Sequence, residues 1–209
     1  MSRRPWQRTA GESPAANGTQ GAPRDSPARK RGIWGKHRRL VAVTLVVCIM
    51  AVSAATARLF IWPDRGMPTY VSAIAMLNGP GDRLDTALGL AWEHRASFVV
   101  ISRGSPAFGH GGDCAPVIPH VKVICFDPDP ATTRGEAEFI GRLARMYHWR
   151  SLVLVTITTQ DSRARLRMER CFSGPVYVVT APPPWYAWPY EIAYEWAATV
   201  KALVFQPGC

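Results

Sequence analysis

Glu136 is a carboxylate whose sequence context, Thr133-Arg134-Gly135-Glu136, fits two roles. A Thr followed three residues later by a Glu fits a helix capping box, in which the Thr side chain caps the Glu amide and the Glu reaches back to the Thr amide. A carboxylate at the start of a helix can instead orient a water, a metal or a ligand hydroxyl. Both roles stay open, and Glu136 is our one candidate catalytic residue.

Four arginines, Arg163, Arg165, Arg167 and Arg170, lie on one predicted helix over residues 160–171. A guanidinium can hold a phosphate or a carboxylate through two parallel hydrogen bonds. Arg163 falls in the first turn of the helix, near the end of the preceding strand, so it is a candidate anion ligand. The other three are typical of a solvated helix face.

The turn Asn78-Gly79-Pro80-Gly81 leads from a predicted strand into a predicted helix. Its glycines allow the backbone to bend tightly and to aim N–H groups at an anion. The turn matches neither the Gly-x-Gly-x-x-Gly pattern nor the P-loop pattern of phosphate-binding loops. A plain turn followed by Asp82 as a helix cap explains the same residues, so both interpretations stay open.

Several common reaction classes find no support in the sequence. The histidines at 94, 110, 120 and 148 are scattered and lack the spacing of a zinc site. No Gly-x-Ser-x-Gly segment is present to hold the nucleophile of an α/β-type serine hydrolase. We therefore predict no metal site and no serine hydrolase, and the sequence identifies no cofactor.

Short apolar runs alternate with helical periodicity from Thr69 onward. Runs rich in Val and Ile, each followed by an amphipathic helix, are typical of βαβ units and a parallel sheet covered on both faces. We predict strands over residues 70–77, 98–102, 121–126, 152–157 and 176–180 and helices over residues 82–94, 133–147, 160–171 and 188–205. The expected fold is α/β, a Rossmann-like three-layer sandwich with a mainly parallel five-stranded sheet, preceded by one transmembrane helix.

Ligands of open parallel sheets bind at the carboxyl ends of the strands, where the strand order reverses. Polar and glycine residues at the predicted strand ends and in the helix turns that follow are therefore candidate ligand-binding residues. They are Asn78, Gly79, Gly81, Arg83, Ser102, Thr133, Thr156, Gln160 and Arg163.

The net charge of +10 is concentrated at the amino-terminal end of the chain. Residues 1–39 hold ten of the 25 Lys and Arg but only two of the 15 Asp and Glu. The rest of the chain is therefore nearly neutral. This tail is rich in Pro, Gly, Ser, Ala and Arg and lacks apolar periodicity, so we expect it to be disordered.

Residues 40–57 contain no charged side chain, and Leu59-Phe60-Ile61-Trp62 extends the apolar run past Arg58. At about 1.5 Å per residue, the run is long enough to span a bilayer. The alternative is a signal peptide cleaved after Ala55 or Ala57. We favour an uncleaved anchor over residues 40–62, because the run exceeds a usual signal core and a 39-residue preceding region would be very long.

Lys36, Arg38 and Arg39 precede the apolar run, so the positive-inside rule places the tail in the cytoplasm. The expected protein is single-pass in the plasma membrane, with an extracytoplasmic domain over residues 63–209. In that position the tail lies beside anionic lipid, so we expect the membrane and not nucleic acid as its partner.

Four of the five cysteines fall in the predicted outer domain, where an oxidising compartment favours disulfides. Of the three possible pairings we expect Cys114 with Cys125 and Cys171 with Cys209. The alternative is that some of the four are simply small buried residues.

The segment 182–190, with the sequence PPPWYAWPY, is a stiff aromatic loop. It fits ordinary packing around the last helix, and it also fits a wedge that touches bilayer headgroups. Both interpretations stay open.

The order of these segments resembles the YdcF, SanA and ElyC family of bacterial envelope proteins. The resemblance covers roughly residues 73–205. It rests on five features in the same order as in that family. They are the strand and glycine turn Ala73–Gly79, the helix that opens with Arg83-Leu84, the strand Val99–Ser102, the Thr-x-x-Glu segment ending at Glu136, and the strand residues Leu154–Thr156 followed by Arg163-Ala164. Arg103 interrupts the usual Ser-Gly pair, Ala137 replaces an Asn, and Gln160 replaces a His that, unlike Gln, can act as a base.

The resemblance implies a Rossmann-like domain outside the cytoplasmic membrane, linked to envelope or peptidoglycan-precursor metabolism. Some members of the family are suggested to bind a nucleotide or S-adenosylmethionine. We expect this chain to bind or process an anionic small molecule or a lipid-linked phosphate. The alternative is a non-catalytic interaction module in envelope assembly, so whether the chain is an enzyme stays open.

Overall fold

The computed structural model describes residues 30–63, 66–103 and 117–209. The chain divides after Val47 into two units, and the second, Cys48–Cys209, holds the sheet. Helix α1 covers Lys30–Thr56 and continues as a π-helical turn over Ala57–Ile61. It begins within the tail that we expected to be disordered, whose residues 1–29 lie outside the described residues.

The described residues include one helix, Lys36–Ile61, that is long and apolar enough to cross a membrane. Its large aliphatic side chains between Leu40 and Val52 are all exposed. An exposed apolar surface of this length suits contact with lipid tails. The predicted apolar helix is therefore confirmed and is consistent with a single-pass membrane protein.

The sheet has five strands, each close to a predicted one. They are β1 Val71–Met76, β2 Ala96–Ser102, β3 Lys122–Phe126, β4 Leu152–Ile157 and β5 Val176–Ala181. Their order is β3-β2-β1-β4-β5, and every neighbouring pair is parallel. The predicted fold class is confirmed, with a sheet that is parallel throughout.

Four helices follow strands of this sheet. They are α2 Arg83–Trp92, α3 Thr133–Met146, α4 Asp161–Cys171 and α5 Trp188–Val200. Short 3-10 turns cover Thr158–Gln160 and Trp185–Ala187, and a π-helical turn over Lys201–Phe205 completes the predicted final helix.

The core lies on both faces of the sheet, as the alternation along β4 shows. Leu152 and Leu154 pack with residues of α3 and α4, whereas Val153 and Val155 pack with residues of α2. Every residue of β4 is buried, as expected for a parallel strand covered by helices on both sides. Burying each such side chain contributes roughly 1.5–3 kcal/mol.

Helices α3 and α4 approach each other closely at Gly141. A Cβ atom there would lie 2.6 Å from the carbonyl oxygen of Cys171, the last residue of α4. Cys171 forms a disulfide with Cys209, which confirms one predicted pairing. The end of α4 is therefore fixed on one side by α3 and on the other by the segment that ends at Cys209.

We expect Gly141→Ala to lower the free energy of unfolding by about 1–3 kcal/mol, because the added methyl group overpacks this contact. Gly89→Ala on α2 is the matched control, since its Cβ would meet nothing within 4 Å. That change should raise stability by about 0.5–1 kcal/mol, because Ala favours the helix. Urea denaturation of the full chain in detergent measures both, and equal effects would contradict the close approach.

Candidate functional site

A cleft of about 380 Å³ lies where the strand order reverses, between β1 and β4. Its walls come from the turn after β1, the loop and first helical turn after β3, the turn after β4, and α5. Open α/β sheets bind ligands at this position, outside the carboxyl ends of the strands.

Helix α3 is capped one residue earlier than predicted. Thr132 Oγ1 accepts a hydrogen bond from the Gly135 amide at 3.2 Å. The Glu136 carboxylate does not reach back to the start of its own helix, because its Oε1 accepts from the Asn78 amide at 2.7 Å. Of the two roles left open for Glu136, the capping box with Thr133 is therefore wrong, and Glu136 joins the start of α3 to the turn after β1.

The Glu136 side chain is buried in the wall of the cleft. Burial raises its pKa, and the Ser102 hydroxyl, the Asn78 amide and the guanidinium groups of Arg83 and Arg163 oppose this effect. By distance and angle, the Ser102 hydroxyl has no hydrogen-bond partner among the described residues. A carboxyl group with a raised pKa suits general acid–base chemistry.

Arg83 is the first residue of α2, and its guanidinium turns back onto the glycine turn. Its Nε donates to the Pro80 carbonyl at 3.0 Å, and its Nη1 donates to the carbonyls of Leu77 at 3.1 Å and Asn78 at 2.7 Å. Asp82 occupies the cap position of α2, but its side chain makes no capping hydrogen bond. The side-chain cap expected from Asp82 is therefore absent, and Arg83 holds the turn together.

Arg83 is also a buried cation without a direct ion-pair partner. Its side chain lines the cleft and the residue is only 2% exposed, yet among the described residues no carboxylate oxygen lies within 4.0 Å of its nitrogens. Burial lowers its pKa to about 10, although Glu136, Glu191 and Glu195 raise it at longer range.

The third nitrogen of Arg83, Nη2, makes no hydrogen bond with a described residue. It lies beside Gly79, where a Cβ atom would be only 2.5 Å from it. Gly79 also has φ +142°, a conformation that L side chains rarely adopt. Glycine is therefore required here on two grounds, and it leaves room around one nitrogen of Arg83.

Arg163 lies in the first turn of α4, as predicted, and its guanidinium is bound to Glu195 of α5. Its Nε donates to Glu195 Oε2 at 2.6 Å and its Nη2 to Glu195 Oε1 at 2.7 Å. Burial lowers the pKa of Arg163, but the hydrogen bonds and charge of Glu195 outweigh burial and raise it. The two parallel hydrogen bonds predicted for an external anion are thus made to a carboxylate of the chain itself.

Gln160 and Thr133 extend this buried network. Gln160 Nε2 donates to Thr133 Oγ1 at 3.0 Å, and Gln160 Oε1 accepts from the Thr156 hydroxyl at 2.8 Å. Thr133 Oγ1 also accepts from Arg163 Nη1 at 2.8 Å, so both of its lone pairs are used. The Thr133 proton has no acceptor among the described residues and remains available to the cleft, which Thr133 lines.

Two acidic residues of the cleft, Glu191 and Glu195, were not among the sequence candidates. They lie four residues apart on α5, so they share one helix face, and both line the cleft. Burial and the charge of Glu195 raise the pKa of Glu191, while Arg83 and Arg163 lower it. The signal in the sequence that could have identified them is this pair of acids, four residues apart on an otherwise apolar and aromatic helix.

The structure brings most of the candidate residues together. The cleft is lined by Asn78, Gly79, Arg83, Thr133, Glu136, Gln160 and Arg163. Gly81, Ser102 and Thr156 are not in its wall. A Cβ atom at Gly81 would lie 3.2 Å from a methyl group of Ile157, and Thr156 is buried and bonded to Gln160. Their roles in binding a ligand stay predictions.

The other three arginines of α4 do not form a solvated face. Arg167 is buried and donates to the carbonyl of Gln206 at 2.7 Å and to its side-chain oxygen at 2.5 Å. Arg170 donates to the carbonyls of Ala202 and Gln206, and Arg165 donates to a carbonyl of β5. The solvated-face prediction is wrong, because the guanidinium groups of these arginines donate to carbonyl groups of the chain.

The second predicted disulfide falls partly outside the described residues. Cys125 is disulfide-bonded, but its predicted partner Cys114 is not described. Cys48 is free and exposed on the apolar helix. Within the described ranges, no group of three or more His, Cys, Asp or Glu residues is arranged to hold a metal ion.

Comparisons with protein-family models, with curated proteins and with solved structures found no match to this chain. Its function must therefore be inferred from the chemistry of the cleft.

We expect Glu136→Gln to raise the free energy of unfolding relative to the parent as the pH rises. The folded pKa of Glu136 is raised, so its contribution to stability is complete below the unfolded pKa and is lost as the pH rises through the folded pKa. Gln stays neutral, and its carbonyl oxygen can still accept from Asn78. The difference between variant and parent should grow from about pH 4 to about pH 7.

Urea denaturation of the full chain in detergent, repeated over that pH range, measures this difference. Glu169→Gln, at an exposed position on α4, is the matched control. An equal rise in the free energy of unfolding of both variants would show that the burial of Glu136 does not cause the rise.

Proposed function

We propose that this chain is a membrane-anchored α/β protein that binds an anionic small molecule or a lipid-linked phosphate in the cleft. The observation that carries the proposal is Arg83, a buried guanidinium without an ion-pair partner beside the cleft. Burying an unpaired charge is costly, so buried charges in proteins are usually paired. An anion bound at Nη2 would supply the missing partner.

Other groups around the cleft favour the same class of ligand. The Thr133 hydroxyl has a proton without an acceptor, and Lys201 places an exposed ammonium group on the wall. Both are donors, and donors recognise the oxygens of phosphates and carboxylates. The cleft therefore offers more to an anion than to a cation, even though three glutamates also line it.

Glu136 is the residue that we assign to chemistry, if the ligand is processed and not only bound. A carboxyl group with a raised pKa keeps its proton to a higher pH than an exposed carboxyl group does. It can pass that proton to an oxygen of the ligand, or it can orient a water. Its position between the Asn78 amide and the cleft suits either role.

The second candidate function is a non-catalytic interaction module. Gln160 is bonded to Thr133 and Thr156, and Arg163 is bonded to Glu195. Side chains engaged within the protein in this way are less available for a reaction. This observation favours a domain that kept the fold but lost the chemistry, and that works through protein contacts in envelope assembly.

The likeness to the YdcF, SanA and ElyC family extends the proposal to envelope or peptidoglycan-precursor metabolism. An extracytoplasmic domain anchored in the plasma membrane is supported by Lys36, Arg38 and Arg39, which precede the apolar run that begins at Leu40. The disulfide between Cys171 and Cys209 also suits an oxidising compartment.

We expect inorganic phosphate and glycerol 3-phosphate to bind the full chain in detergent micelles. Arg83→Gln should weaken that binding by about ten-fold or more, because a charge-assisted hydrogen bond contributes about 1.5–3 kcal/mol. Arg83→Lys, which keeps the charge, should retain part of the affinity. Isothermal titration measures binding, and the melting temperature reports folding.

Arg150→Gln is the control for this experiment, since Arg150 is exposed and precedes the amino end of β4. It should bind phosphate as the parent does. If no anion binds the parent, or if the Arg83 and Arg150 variants bind equally well, the proposal fails and the interaction module is favoured.

For topology, we expect alkaline phosphatase fused after Cys209 to be active and a fluorescent protein fused before Met1 to be fluorescent. The phosphatase folds only outside the cytoplasm, and the basic residues before the helix keep the tail inside. The intact mass should also include the amino-terminal tail. A phosphatase that is inactive although the fusion is expressed would reverse the orientation, and loss of the tail would indicate a cleaved signal peptide.

A further inference from the structure

The end of the apolar helix is built into the α/β domain beside α5. Phe60 is fully buried and packs edge to face on Trp196 of α5, with ring centroids 5.4 Å apart. The indole nitrogen of Trp196 donates to Thr56 Oγ1 at 3.0 Å, and Ser162 Oγ donates to the Leu59 carbonyl at 2.8 Å. These contacts fix α4 and α5 to residues 56–60.

Residues 56–60 lie where the apolar run leaves the membrane. A helix needs about 20 residues to cross the hydrocarbon core, so a run that begins at Leu40 reaches its other boundary near Phe60. Arg58 breaks the apolar run at the same level, as expected near the headgroups. Helix α5, bonded to Thr56 and packed on Phe60, is therefore held at the membrane surface.

The side of α5 that faces away from the domain is apolar. The large side chains exposed along α5 and the π-helical turn after it are Tyr190, Tyr194, Val200, Leu203, Val204 and Phe205. The small residues exposed between them are Pro189, Ala193 and Ala197, and Lys201 is the one charged residue exposed over 188–205. A helix that faces water normally presents polar residues there. We call this surface the outer face of α5.

We propose that the outer face of α5 rests on the headgroup region of the same membrane that the apolar helix crosses. Tyr and Trp side chains favour that region because they combine an apolar ring with a polar tip, and Trp62, Trp185 and Tyr186 are also highly exposed. Lys201 would meet anionic headgroups. The attachment of α5 to Thr56 and Phe60 identifies the bilayer as the occupant of this surface.

This placement determines where the cleft opens. Tyr190 and Tyr194 belong both to the outer face of α5 and to the wall of the cleft. A cleft next to a membrane-bound helix opens at the lipid surface, where a ligand with an acyl or prenyl chain can reach it without leaving the bilayer. The inference about the surface does not depend on which ligand, if any, the cleft binds.

The test uses the photo-crosslinking residue p-benzoylphenylalanine in the full chain, reconstituted in vesicles of phosphatidylcholine and phosphatidylglycerol. Tyr190 and Phe205 are the test positions. Trp92 and Met146 are the controls, because both are large and exposed but belong to α2 and α3 and not to the outer face of α5. Mass spectrometry after irradiation should find several-fold more lipid adduct at the test positions than at the controls.

Two results would overturn the proposal. Chain-to-chain crosslinks without lipid adducts at Tyr190 and Phe205 would show that a second copy covers the outer face of α5. Equal or absent lipid adducts at all four positions would show that this face does not contact the bilayer. Neither result uses phosphate binding, so this inference and the proposed function can fail separately.

Discussion

The ion pair between Arg163 and Glu195 is the interaction on which the cleft depends. It joins α4, which packs on the sheet, to α5, which contributes the opposite wall. Burying two charges is favourable only with good geometry and additional hydrogen bonds. Here the pair is bidentate, and Thr133 accepts a further bond from Arg163. Removing one partner of such a pair typically costs about 3–5 kcal/mol, so the position of α5 depends on this contact.

A consequence of this ion pair is that Arg83 and Arg163, two of the four described arginines that line the cleft, differ in chemistry. Arg163 is neutralised by Glu195, whereas Arg83 is held by three backbone carbonyls and keeps its charge unpaired. Glu136 does not neutralise Arg83 directly, because Asn78 lies between them: its amide donates to Glu136 and its carbonyl accepts from Arg83. The turn thus keeps a cation and a carboxyl group close together without letting them form a salt bridge.

The fold could be predicted because it depends on local patterns: β-branched runs between amphipathic helices predict parallel strands, as β4 shows.

The site was only partly predictable. Two threonines stand at the start of α3, and the sequence does not show that Thr132 caps the helix while Thr133 turns toward Arg163. Glu195 was missed because its partner lies 32 residues away in sequence. The arginines of α4 looked solvated because nothing local shows that Gln206 returns to meet them.

Gln160 determines the direction of the hydrogen bonds that reach the cleft. Its carbonyl oxygen takes the proton of Thr156, so its amide nitrogen must donate to Thr133. Thr133 then accepts hydrogen bonds from both Gln160 and Arg163, so the Thr133 hydroxyl can only donate to a ligand. A histidine at this position could change the pattern with its protonation state, whereas Gln does not titrate. Gln160 therefore fixes Thr133 as a hydrogen-bond donor. A donor in the same cleft as the unpaired guanidinium of Arg83 is suited to hold an anion.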